Sequence, residues 1–225
     1  YHFTLKAQLL KVIILYLNEA KMYRTIAFHY VPSDGIICFM SNLNGSVKIW
    51  GRDIPKDFLA FLIISVLLGV VEAVDSTSLS NRLYEDLNFT VMQRSMLEAP
   101  RELPGFLAVV IIGMLNSFGD IRIAAFANMI GGIGLIFFGM VPNDFSLVLI
   151  TLVIYSTGQH IYLPLSNTIA MTFAKGDNFG HRLGQVQSLG SISIIVTSAV
   201  LFALYKLFHV SYQAVFFIAG IAMLL

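Results

Sequence analysis

Apolar residues fall in long uncharged blocks, separated by short polar stretches. Residues 58–71 are uncharged and apolar but for Ser65, and continuation through Ser80 predicts a helix of membrane-spanning length, since about 20 residues cross about 30 Å of hydrocarbon. The polar stretch 81–90 then connects to a second span over 91–117, the least conventional because it holds Glu98, Pro100, Arg101, Glu102 and Pro104. A turn at 118–122 precedes a third span over 123–141, which Pro142-Asn143-Asp144 closes with turn chemistry. Residues 145–174 predict a fourth, tilted span, 175–182 a polar loop, and 183–205 a fifth span. A sixth begins at 211 and is still apolar at Leu225. The expected fold class is an all-α, polytopic membrane protein of six transmembrane helices, truncated in the sixth.

Composition agrees with the blocks. The 225 residues are 57% hydrophobic and 12% charged, with mean hydropathy +0.79, against about 25% charged in soluble domains. The net charge of +1 points to no nucleic-acid partner. Cys38 is the only cysteine, which excludes an internal disulfide framework and any multi-cysteine metal site. No phosphate-binding glycine loop, HExxH or GxSxG is present, so the soluble-enzyme chemistries have no support. No metal and no cofactor are expected.

Residues 1–56 read as a cytoplasmic amino-terminal extension, and residues 57–225 as the membrane bundle. The first 39 residues have neither a cleavage site nor a long enough apolar run. Met40 before Ser41-Asn42-Leu43-Asn44-Gly45 resembles a free amino terminus, so the residues ahead of it read as an upstream extension of the frame. A chain that opens at Tyr1 and stops inside an apolar run is expected to be part of a longer protein. Six crossings put Lys48, Arg52, Lys56, Arg122, Lys175 and Arg182 on the side of the amino terminus, with Arg82 and Lys206 opposite. By the positive-inside rule that terminus is cytoplasmic, and the compact loops fit a bacterial plasma membrane.

Charged groups inside such spans are the candidate chemistry. A carboxylate at a helix centre costs roughly 2.5–3.5 kcal/mol unless it faces a cavity or a partner. Glu72 and Asp75 share a face of the first span; they are either a protonatable or cation-binding site, or an interfacial pair solvated at the helix end. Glu98, Arg101 and Glu102 follow i, i+3, i+4 spacing, so the guanidinium is expected to pair with either acid along one face. That cluster reads equally as a self-neutralising pair that stiffens a kinked helix or as a substrate or coupling site. Pro100 and Pro104 remove rungs from the same helix ladder. On the fourth span, Tyr155, Gln159 and His160 gather near the midplane. His160 is able to take up a proton near neutral pH, and Gln159 offers both a donor and an acceptor; a membrane histidine also serves simply to bond a neighbouring helix. Ala127 with Gly131, and Gly184 with Ser188, have the four-residue spacing of helix-packing grooves.

The segment Gly113-Met114-Leu115-Asn116-Ser117-Phe118-Gly119-Asp120-Ile121-Arg122 resembles the G-x-L-x-D-R-x-G-R-R loop between the second and third helices of the major facilitator superfamily. Gly113, Leu115, Gly119 and Arg122 match if one residue is deleted, while Ser117 stands where the family has an acid and Asp120 where a basic residue is usual. Arg182-Leu183-Gly184 is similar to the start of that family's fifth helix, and the six-span spacing covers residues 56–225. The arginine often found on the family's fourth helix is missing, with Ile154 and Ser156 in its neighbourhood, as is the proline-glycine motif of the fifth. The resemblance implies two inverted three-helix repeats, a second bundle elsewhere in the same chain, and a midplane substrate site between the bundles. It brings Glu72 and Asp75 into one cavity with Gln159 and His160, and makes Gly113, Gly119, Asp120, Arg122 and Arg182 gating-loop residues. Expected partners are a small-molecule substrate, protons, the lipid bilayer and the second half of the chain. The implied function is proton-coupled secondary transport. A uniporter, an intramembrane enzyme, or a non-transporting sensor or assembly subunit are the alternatives. The enzyme reading is disfavoured because Asp75 is the single intramembrane aspartate.

Overall fold

A computed structural model describes residues 46–49, 52–174 and 178–225. The expectations for residues 1–45, including Cys38 and the start at Met40, and those for Lys175 lie outside the described residues. The chain divides into two units at Asp57. In the first, β1 (Ser46–Ile49) and β2 (Arg52–Pro55) form an antiparallel hairpin with Val47 opposite Ile54. Nothing in the apolar blocks anticipated it, because four-residue strands carry too little pattern to register beside helices of more than twenty residues.

The second unit is a helical bundle. It comprises α1 (Lys56–Asn81), α2 (Val91–Leu115), α3 (Asp120–Met140), α4 (Phe145–Thr172), α5 (Phe179–Phe208) and α6 (Tyr212–Leu224). Among the described residues, five helical stretches are long and apolar enough to cross a membrane, ending with Phe179–Phe208; α6 has only 13 residues. Three of the starts are capped by a side chain. Thr90 and Gln93 form a reciprocal capping box at α2, the Asp144 carboxylate accepts from Leu147 N at 2.9 Å at α4, and Ser211 caps α6.

Several boundaries move outward from their expected positions. The first span does not end near Ser80: a π-helical turn, Arg82–Asp86, prolongs it, so most of the expected connector is helical. Arg82, expected as a basic flank, is 1% exposed; its guanidinium lies 5.2 Å from the Phe138 ring and donates to the Val141 carbonyl at 3.3 Å. The turn before α3 closes at Gly119, whose φ of +81° suits glycine, and Asp120, Ile121 and Arg122 already belong to the helix. Likewise α5 opens at Phe179, which takes His181 and Arg182 out of the expected loop. Pro100 and Pro104 both lie within a continuous α2.

α3 packs along α4 and α6, and α2 along α4. The α3–α4 seam is the tightest: a Cβ on Gly158 would strike the Ala127 carbonyl and the Gly131 backbone, so the Ala127–Gly131 groove is the expected packing device. Gly184 is different, since a Cβ there meets nothing within 4 Å; α5 instead meets α1 through Ser193, whose hydroxyl donates to the Val66 carbonyl at 2.7 Å. The apolar core includes Phe138 and Phe216, edge to face at 4.8 Å.

Candidate functional site

Charged and amide side chains of α1, α2 and α4 converge halfway along their helices. Glu72 lies next to the midpoint of the helical stretch Lys56–Asp86. Its carboxylate accepts from Gln159 Nε2 of α4 at 3.0 Å. One turn on, Asp75 is bound by Arg101 of α2 at 2.6 Å, and the same guanidinium lies 3.6 Å from Glu98. The expected pairing of Arg101 with Glu102 is not seen. Adjacent residues on a helix point about 100° apart, and Glu102 faces His160 of α4 instead, with Nε2 and carboxylate oxygen 3.3 Å apart. Three interhelical links thus tie the predicted residues together.

Burial separates these links. Asp75 is 7% exposed and Arg101 15%, whereas Glu98 and Glu102 are about half exposed. A charge-assisted bond between two such buried ions keeps each from the penalty the other would suffer alone. Asp75 Oδ1 and the hydroxyl of the buried Tyr155 have no hydrogen-bond partner among the described residues. Buried polar atoms are ordinarily satisfied, so these two stand out in the cluster.

Two local features hold the cluster in place. The Ser156 hydroxyl donates to the Arg101 carbonyl, in the turn between the two prolines. The His160 ring rests over Gly105, where a Cβ would lie 3.0–3.4 Å from three imidazole atoms. Ser156 and Gly105 were not foreseen as site residues. Their one signal is positional: each neighbours a candidate in sequence or by one helix turn.

A cavity of about 500 Å³ opens between α1, α4 and α5, with Glu72, Tyr155, Gln159 and Tyr162 in its wall. His160, Asp75 and the α2 residues lie outside that wall. Of Glu72, Asp75, Gln159 and His160, which the resemblance placed in one cavity, only Glu72 and Gln159 line this one. Among the described residues no three His, Cys, Asp or Glu side chains gather as metal ligands.

The residues of the gating-loop resemblance sit apart from this cluster. Gly113 and Gly119 have open space where a Cβ would stand, and Arg122 is exposed. Asp120 opens α3 in its first turn. Arg182 bonds Gln185 Oε1 at 3.0 Å and lies 4.4 Å over the Phe58 ring, which docks the start of α5 onto α1.

The fold and its charged interior define an α-helical, integral, multi-pass membrane protein. No family model, no curated protein and no solved structure matches the chain.

Proposed function

We propose that this bundle is the six-crossing half of a secondary transporter of the major facilitator type. It moves a small solute by alternating access, coupled to protons through Glu72. The observation that carries this reading is a mismatch of charge. Asp75 and Glu98 share Arg101, and Glu102 has His160, but among the described residues Glu72 is met only by the neutral Gln159 amide, at the wall of a cavity. A carboxylate in hydrocarbon without a cationic partner is stabilised by taking up a proton or a cation. Such a group changes charge state as the site alternates between two sides of the membrane, which is what coupling requires.

The rest of the proposal follows from that role. Two inverted three-helix repeats, α1–α3 and α4–α6, place α1 and α4 in equivalent positions, and both supply the site. A second bundle closes the open side of the cavity. The basic residues at the α1, α3 and α5 starts put the amino terminus in the cytoplasm. The working partners are then a small-molecule substrate, protons and lipid, and no covalent catalysis is required.

The intact protein in liposomes, with a pH-sensitive dye and an imposed proton gradient, tests this against sugars, organic acids and amines. Solute-driven proton movement that is lost in Glu72→Gln is expected. Flux of labelled solute without proton movement would make it a uniporter. A second reading draws on the Asp75–Arg101 pair, which neutralises itself and links two helices as a structural element would. On that reading the protein is a non-transporting sensor or assembly subunit, and neither protons nor labelled solutes move although the protein stays folded.

A further inference from the structure

We infer that the solute taken by this cavity is a monovalent organic cation with an apolar body, exchanged for the proton on Glu72. The inference rests on the transporter reading above and assigns its substrate class. Glu72 is the sole charged side chain in the cavity wall, and no lysine, arginine or histidine joins it there among the described residues. An anionic solute would meet that carboxylate with nothing to offset the repulsion. A neutral solute would leave it unmatched. A cation replaces the proton at the same oxygens, so binding of one displaces the other without any further device.

The wall also fits the body of such a solute. Leu68 and Val71 of α1 line the cavity with Val186 and Ile194 of α5, and from α4 come the half-buried Tyr162 and the buried Tyr155. Tyrosine rings attract cations through their π faces. Tyr155, whose hydroxyl is buried and has no hydrogen-bond partner among the described residues, is a lining residue of the same cavity as Glu72. Arg101 is held by Asp75 and Glu98 and does not pair with Glu72.

The ionisable groups around Glu72 are few enough for proton competition to be read. Asp75 shares its helix and is bound by Arg101, with Glu98 beyond it on α2. Tyr155 and Tyr162 stand on α4, and α5 contributes Gln187 and Ser191 but no titrating side chain.

Tritiated tetraphenylphosphonium supplies the probe, with the intact protein in detergent micelles. Its charge does not titrate, and tetraphenylborate has the same shape with the opposite sign. Saturable tetraphenylphosphonium binding is expected, weakened by acidification in the unmutated protein and by about tenfold or more in Glu72→Gln. That variant retains an acceptor for Gln159, and an unchanged unfolding temperature verifies its fold. Equal affinity in Glu72→Gln, indifference to acidification, or preference for tetraphenylborate would overturn the assignment. The liposome assay separates the two levels of inference. If an uncharged or anionic solute drives Glu72-dependent proton movement, the cation class falls and the transporter stands; if no solute of any class does, both fall.

Discussion

α4 joins two unlike regions. Through Gly158 it meets α3 backbone to backbone, where any side chain would collide with Ala127 and Gly131. One and two residues later, Gln159 and His160 reach carboxylates on α1 and α2. The first contact has a single arrangement, because close-packed backbones do not deform by degrees. The second is built from side-chain hydrogen bonds and ion pairs, which are able to exchange partners by rotamer changes alone. A bundle divided in this way has a rigid seam, α3 with α4 and α6, and a responsive one where α1 and α2 lean on α4.

The sharpest way to break the contrast is to strip the responsive seam of its cation. Arg101→Met leaves Asp75 buried and unpaired, at a cost of about 3–5 kcal/mol. The double variant Asp75→Asn with Arg101→Met removes both charges and is expected to recover most of that loss. Thermal unfolding of the purified protein in detergent compares the two. A double variant no more stable than the single would mean that Arg101 supports the fold through packing rather than through its charge.

The rigid seam should fail for a different reason, with no charge to rescue it. Gly158→Leu forces the α3 and α4 backbones apart and is expected to destabilise by roughly 3 kcal/mol, the upper end of overpacking costs. The same unfolding measurement reads it, and no change of pH should restore it. A well-folded Gly158→Leu protein would show that this crossing is looser than its geometry implies.

A smaller change sharpens the division within the responsive seam. Gly105→Ala pushes on the His160 ring at 3.0–3.4 Å and should move it off Glu102. A double-mutant cycle of Glu102→Gln and His160→Ala measures their coupling. We expect about 0.5–1 kcal/mol in the unmutated background and close to none on the Gly105→Ala background. Coupling that survives would mean that the ring has room to swing aside and still reach the carboxylate.

How much of this was legible in the sequence depends on what periodicity reports. The apolar blocks gave the long helices, and charges inside them gave the cluster, since burying a carboxylate in hydrocarbon demands a reason. Helix spacing places a residue on a face but does not say what stands across from it. Glu98, Arg101 and Glu102 therefore looked like a local triad, whereas Arg101 keeps Glu98 but also reaches Asp75, and Glu102 reaches His160. Arg82 was misplaced for a related cause. An arginine just past an apolar block reads as a solvated flank, and only the continuing helix carries it inward to Phe138 and the Val141 carbonyl. Its companion at i+4, Asp86, was the available hint, 3.7 Å away across one turn.

The smallest expected effect on stability tests the segment that resembled a family loop. Arg122 is exposed on the first turn of α3 and has no ion pair among the described residues, so Arg122→Ala should change stability by less than about 0.5 kcal/mol. Its value lies in being silent for folding. If flux also stays unchanged, the resemblance at 113–122 has no gating content and the transport reading stands on the Glu72 cavity alone. If flux falls while the unfolding temperature holds, Arg122 acts in a conformation in which it meets a partner. The loop then belongs with the responsive part of the molecule, although it lies at the far end of α2 from the capping box and close in sequence to the rigid seam.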